Sequence, residues 1–182
     1  MPYFEKLPGQ RIYLSPIDPA DAELYAKWMN DIGVTRWLGT AGSVTSMPAE
    51  YAWLENNTRD PHNYQFAIVL RDEQRLIGGI GLMDLHQIFR TATLCLYIGE
   101  EADRSKGYGA EAIRLLLDFG FDWLGLHNID LTVYSDNHRA IACYEKVGFR
   151  EYGRRRESIF AGGQWVDSVM MEVLAADWPS HA

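Results

Sequence analysis

Cysteine is scarce in this chain: Cys95 and Cys143 are the two among 182 residues, and their positions make neither a CxxC pair nor a disulfide framework. Both read as buried free thiols, because a nucleophilic thiol needs a histidine or another base beside it. Histidine is sparse as well. His62, His86, His127, His138 and His181 are scattered without metal-ligand spacing, so no metal is expected. Basic side chains are outnumbered, 17 against 25 acidic, for a formal net charge of -8. A binder of phosphate backbones needs the opposite balance, so no nucleic acid is expected as a partner. The one basic run, Arg154-Arg155-Arg156, alternates across a strand-like segment and reads as a solvated hairpin edge. No uncharged apolar run approaches the roughly 18 residues of a membrane span, so no membrane is expected either. The first ten residues lack the basic start and apolar stretch of a secretory signal, which makes a cytoplasmic location the expectation. Without repeats or low-complexity linkers, residues 1–182 read as one domain.

Glycine, by contrast, stands where it carries meaning. Thr91–Ile98 is a strand-like apolar run, residues 110–124 are a helix-like one, and between them lies Arg104-Ser105-Lys106-Gly107-Tyr108-Gly109. Glycines here let the backbone turn with its N–H groups inward, and a helix N-terminus adds partial positive charge, which together suit a phosphate or pyrophosphate. A P-loop would end in Gly-Lys-Ser/Thr, whereas Ala110-Glu111 follows Gly109 and leaves no hydroxyl for Mg2+. A dinucleotide fingerprint would need a third glycine where Ala112 stands and an acid about 20 residues further on. Taken alone, the segment also suits an ordinary strand-to-helix turn.

A second segment narrows the choice. After the apolar run 129–133 comes Asn137-His138-Arg139-Ala140-Ile141-Ala142-Cys143-Tyr144-Glu145-Lys146-Val147-Gly148-Phe149. Asn137 suits an N-cap, and Ala140, Ile141, Tyr144 and Val147 recur at helical spacing. Gly148 suits the left-handed position after the helix, with Phe149 folding back. Tyr144 therefore sits on the apolar face of a short helix.

Together the two segments resemble the GNAT superfamily of N-acetyltransferases. Its Gln/Arg-x-x-Gly-x-Gly/Ala pattern is met by Arg104, Gly107 and Gly109. Its later Asn-x-x-Ala-x-x-x-Tyr-x-Lys-x-Gly-Phe pattern is met by Asn137, Ala140, Tyr144, Lys146, Gly148 and Phe149. The likeness extends over most of the chain and is nearest to the branch of ribosomal-protein N-terminal acetyltransferases and spermidine acetyltransferases. It implies acetyl-CoA as co-substrate, with its pyrophosphate on Arg104, Ser105, Lys106, Gly107, Tyr108, Gly109 and Ala110. Further coenzyme contacts are implied from Leu96, Tyr97, Ile98, Asn137, Arg139 and Tyr144. It implies two central strands that splay to admit the pantetheine arm, and a backbone N–H among residues 96–98 that polarises the acetyl carbonyl.

The rest of the chain alternates strands and helices. Strands are expected at 11–16, 65–70, 76–85, 91–98, 129–133, 150–159 and 166–174, the last two as a hairpin about Gly162-Gly163. Helices are expected from Pro19 to about Asn30, at 48–56, at 110–124 and around Tyr144. A polar loop is expected at 57–63. Antiparallel strands followed by helical crossovers give an α/β (α+β) fold of the GNAT kind. Its mixed, mostly antiparallel central sheet would have about seven strands flanked by about four helices.

Acetyl transfer to an amine sets its own demands. An alkylamine is neutral in only about one molecule in 2,500 at pH 7, so a base or water chain is needed. Asp84, near the central strands, is the candidate base. The departing thiolate needs a proton, and Tyr144 matches the family's donor; packing against pantetheine is its other reading. The acceptor is a small-molecule amine or a peptide N-terminus. The acidic surface suits a cationic acceptor, yet Ala92 is followed by Thr93 where the spermidine branch carries glutamate, which weakens a polyamine assignment. Trp28, Trp37 and Trp53 fall where an acceptor pocket, the core or a dimer contact would be built, and a homodimer is compatible with the chain. The competing functions are a non-catalytic acyl-CoA-binding module and a different coenzyme A or nucleotide binder with a similar loop.

Overall fold

A computed structural model describes residues 3–60 and 64–179, so the readings made at Met1, Pro2, His62, His181 and the end of the 57–63 loop lie outside the described residues. The strands are β1 (Leu7–Pro8), β2 (Ile12–Pro16), β3 (Tyr64–Leu70), β4 (Arg75–His86), β5 (Thr91–Ile98), β6 (Asn128–Tyr134), β7 (Arg150–Ala161) and β8 (Gln164–Leu174). They form one 8-stranded sheet in the order β1-β2-β3-β4-β5-β6-β8-β7. The seven expected strands are present, and β1 is the addition. Its two residues pair with Leu14 and Tyr13, a stretch too short for alternation to show.

The helices are α1 (Ala22–Met29), α2 (Ile32–Thr35), α3 (Met47–Arg59), α4 (Tyr108–Asp118) and α5 (His138–Val147). Asp18 opens the α1 region by accepting from the Ala20 N–H, and Pro19 and Asp21 form a 3-10 turn ahead of the helix. Ser46 caps α3 through the Ala49 N–H. The unexpected helix is α2, a single turn that Asp31 starts by accepting from the Gly33 N–H. A π-helical turn, Phe119–Trp123, continues α4 to the end of the expected helical run.

Two apolar layers cover the sheet. On one face Ile113, Leu116 and Leu117 of α4 pack on Ile12, Leu14, Ile68, Ile80 and Leu94, all nearly inaccessible to solvent. On the other, Tyr25 and Trp28 of α1 and Leu54 of α3 pack on Tyr13, Ala67 and Val69. Each such aliphatic side chain contributes about 1.5–3 kcal/mol on burial. Gly99 is required where Trp28 crosses the end of β5, since a Cβ there would stand 2.0 Å from the indole Cε2. The Trp28 indole N–H donates to Glu100 at 3.0 Å.

Every neighbouring pair is antiparallel except β5 and β6. These two join only at Thr91 with Asn128, Ala92 with Ile129 and Thr93 with Asp130. The last pair is stapled by Thr93 Oγ1 donating to Asp130 Oδ1 at 2.8 Å. Beyond it, Leu94 to Ile98 stay with β4 and Leu131 to Tyr134 stay with β8. The sheet splits along its middle.

Candidate active site

The split opens into a cleft of about 190 Å3. Of the residues expected to bind the coenzyme, Leu96, Tyr97, Ile98, Arg104, Ser105, Gly107, Tyr108, Gly109, Ala110, Asn137, Arg139 and Tyr144 all line it. Lys106 belongs to the same loop but is half exposed, 3.9 Å from Asp103. Asp84 lines no part of the cleft. The pairing of β4 with β5 is interrupted between Met83 and His86, and Asp84 occupies that irregularity at φ 51, exposed to solvent. It stands at the closed end of the β5–β6 junction, four residues past Ile80, about 13 Å along a strand. The strand was expected to run without a break to Leu85, and the irregularity at Asp84 is the departure from that.

The loop is shaped by two left-handed residues, Ser105 at φ 61 and Gly107 at φ 86. Left-handed backbone costs a side-chain-bearing residue local strain, while glycine adopts it freely. Gly107 is the N-cap of α4, so the free N–H groups of that helix face the cleft mouth. Arg104 braces the loop from within. Its guanidinium donates to the carbonyls of Ile98 at 3.0 Å, Gly99 at 2.7 Å and Gly33 at 3.3 Å, so its side chain fastens the loop to β5.

Support behind the loop was not legible in the sequence. Arg11 donates to the Lys106 carbonyl at 2.9 Å, meets Glu111 Oε2 at 3.2 Å and lies 4.9 Å above the Tyr108 ring. Glu111 Oε1 accepts from the backbone N–H groups of Gln10 at 2.7 Å and Arg11 at 2.8 Å. Arg75 grips Asp103 with contacts of 2.7 and 3.1 Å, and these hydrogen bonds hold the Asp103 carboxyl below its ordinary range against the opposing effect of burial. Glu111 and Arg11 are about a hundred positions apart, and no local pattern links them.

Tyr144 projects from α5, which is fixed at both ends. Asn137 accepts from the Ala140 N–H at 3.3 Å. At the other end Gly148, at φ 129, donates to the Glu145 carbonyl, and Phe149 donates to the Tyr144 carbonyl at 3.0 Å. This is a Schellman-type end, and the Tyr144 and Phe149 rings meet 5.8 Å apart. Burial raises the Tyr144 phenol well above its ordinary range. The phenol is therefore protonated at neutral pH. Both cysteines are free, and burial raises their thiols too, which leaves them un-ionised packing groups.

Of the far wall, Gly33, Val34 and Leu38 were missed with α2, while Trp37 was among the residues singled out. Of the three tryptophans singled out in the sequence, only Trp37 reaches the cleft. Trp28 is core at 1% exposure, and Trp53 is half exposed on α3. Arg36 covers the Trp37 ring at 4.2 Å, and Tyr134 meets it edge-on at 5.9 Å.

Comparison with known proteins agrees with this geometry. An acetyltransferase (GNAT) domain matches residues 11–150. The chain is 28% identical to the probable N-acetyltransferase YjcK of Bacillus subtilis, covering 94% of this chain and 98% of that protein. It is 33% identical to the spermidine N(1)-acetyltransferase of Vibrio cholerae over 64% of this chain and 67% of that one. The crystal structure of the spermidine N-acetyltransferase from Vibrio cholerae, in complex with CoA and spermine, superposes with a TM-score of 0.85. It is 24% identical in sequence and covers 92% of this chain and 97% of that one. The split sheet, the glycine loop at its mouth and the helix that carries Tyr144 are thus the features of a chain that belongs to the GNAT acetyltransferase family.

Proposed function

We propose that acetyl-CoA, the co-substrate of this N-acetyltransferase, lies along the β5–β6 split and that its acetyl group passes directly to a primary amine on a small molecule or a peptide N-terminus. The observation that carries the reading is the split itself, with a left-handed glycine loop at its mouth and a protonated tyrosine on its wall. Acetyl-CoA supplies an acetyl group already activated as a thioester. The loop backbone and the α4 N-terminus suit its pyrophosphate, and Arg139 at the mouth adds positive charge. A backbone N–H of residues 96–98, on the edge of β5 that has left β6, polarises the acetyl carbonyl. Tyr144 gives its proton to the departing sulfur.

A binding module would need the loop but not a phenol held protonated on the cleft wall, and transfer is the better reading. Two copies of the chain pairing is part of the same proposal. Phe160 and Trp165, their tilted rings 5.2 Å apart and each 62% exposed on the β7–β8 hairpin, are apolar surface that a second copy would cover; light scattering that finds only monomer would remove this part. The main test is thiol release from acetyl-CoA across polyamines, amino sugars, aminoglycosides, amino acids and short peptides. Release with one amine class supports transfer. Tight acetyl-CoA binding with silence across the panel would favour the module.

A further inference from the structure

On the coenzyme side of the sheet the acceptor's proton has no destination. An alkylammonium must lose a proton before its nitrogen can attack, and Tyr144 is held as a donor. Asp84 is exposed at the paired end of the β5–β6 junction, away from the open split. The opposite face of β5 is equipped differently. Leu94, Leu96 and Ile98 pack toward α4, so the alternating Tyr97 faces α1 and α3 while still lining the cleft. Its ring lies over Gly79 of β4, where an added Cβ would stand 2.9 Å from Cε1. Trp28 meets Tyr97 at 6.1 Å and Tyr25 at 5.8 Å, both edge-on.

One buried polar atom without a partner and one buried acid lie here. The Tyr25 hydroxyl is buried with no hydrogen-bond partner, on a residue 2% exposed. Glu50, in the first turn of α3, is 6% exposed, and no hydrogen bond or cation among the described residues offsets its burial. Its charge acts on both phenols, Tyr25 from α1 and Tyr97 from β5. Asp21, at the start of α1, also acts on Tyr25 and accepts from the Tyr3 hydroxyl at 3.1 Å. An unpaired buried carboxylate is costly, and the N-terminus of α3 offsets only part of that.

We infer that Glu50 receives the acceptor's ammonium on the α1–α3 face of the sheet and takes its proton, with the Tyr97 and Tyr25 hydroxyls accepting from the same head group. The inference rests on the acetyltransferase reading above. A primary ammonium brings one positive charge and three N–H donors, matching one carboxylate and two hydroxyls, of which that of Tyr25 has no partner. One ammonium proton passes to Glu50, and the freed lone pair forms the N–C bond to the acetyl carbon. The C–S bond breaks, and the sulfur takes the Tyr144 proton. The nitrogen's second proton restores Tyr144 and Glu50 releases its own to solvent, so the products are an amide, a thiol and one proton.

Glu50→Gln keeps the shape and removes the base. At pH 7 turnover is expected to fall at least 30-fold while calorimetric affinity for acetyl-CoA stays within about two-fold. The deficit should shrink as pH rises toward the amine's own pKa near 10, because free amine then needs no base. Melting gives an independent readout. Burial raises the Glu50 pKa in the folded state, so the native carboxyl removes stability as pH climbs above its unfolded value near 4.3. Glu50→Gln should therefore melt above wild type at pH 7, with the gain gone near pH 4. A variant that turns over like wild type at pH 7, or that melts below it, overturns the assignment. Robust, equal turnover in both proteins sinks Glu50 alone, whereas a wild type silent across the amine panel takes down the acetyltransferase reading and this inference with it.

Discussion

On the α4–α5 face of the sheet, the cleft is lined mainly by two contiguous segments, residues 104–110 and 137–144. On the α1–α3 face, Tyr25, Glu50 and Tyr97 come from three separate elements and share no motif. The first face is built for a large ligand with a fixed anionic end, which a loop and a helix start can hold through backbone alone. The second holds small polar groups inside an apolar layer, where each unpaired atom lowers stability. Contiguous backbone sites leave a mark in sequence. Sites assembled from dispersed side chains leave almost none.

The largest effect expected on the first face comes from Gly107→Asp. A side chain at φ 86 is strained, its Cβ would stand 3.0 Å from Arg11 Nη2, and the added charge opposes a phosphate. Acetyl-CoA affinity should drop at least 100-fold by calorimetry in a variant whose circular dichroism matches wild type; normal affinity would break the assignment of the loop. Next is Tyr144→Phe, which removes only the hydroxyl. Turnover should fall at least tenfold with acetyl-CoA affinity within a few-fold, and unchanged turnover would leave Tyr144 a packing residue.

Smaller effects sharpen the boundary between the faces. Thr93→Val removes the staple at the last β5–β6 pair. It should cost about 1–2 kcal/mol, read as a melting point lower by roughly 2–8 °C; an unchanged melting point would mean the staple does not hold the closed end. Smallest is Asp84→Asn, at an exposed position outside the cleft. Turnover should change less than about two-fold, and a loss beyond tenfold would return the base to this end of the sheet.

The same division accounts for what the sequence disclosed. Gly107 and Gly148 announce left-handed backbone because few other residues adopt it cheaply, and Tyr144 lies on a helix whose start and stop are both marked. The splay was not readable from the residues themselves. Thr91–Ile98 looks like a uniform strand, and nothing in its period says that pairing with β6 ends at Thr93. Asp84 looked central because an irregularity inside a strand leaves no regular trace. Glu50 was invisible for a different reason: an acid in the first turn of a helix is ordinary dipole complement, and only its burial sets it apart.

The most direct test is a stoichiometric one, in which wild-type protein, acetyl-CoA and the best amine of the panel are incubated and free CoA and acetylated amine are counted together by mass spectrometry. Direct transfer across the split predicts one amide for each thiol released. Thiol released without amide, or no release from protein that binds acetyl-CoA tightly, would contradict it.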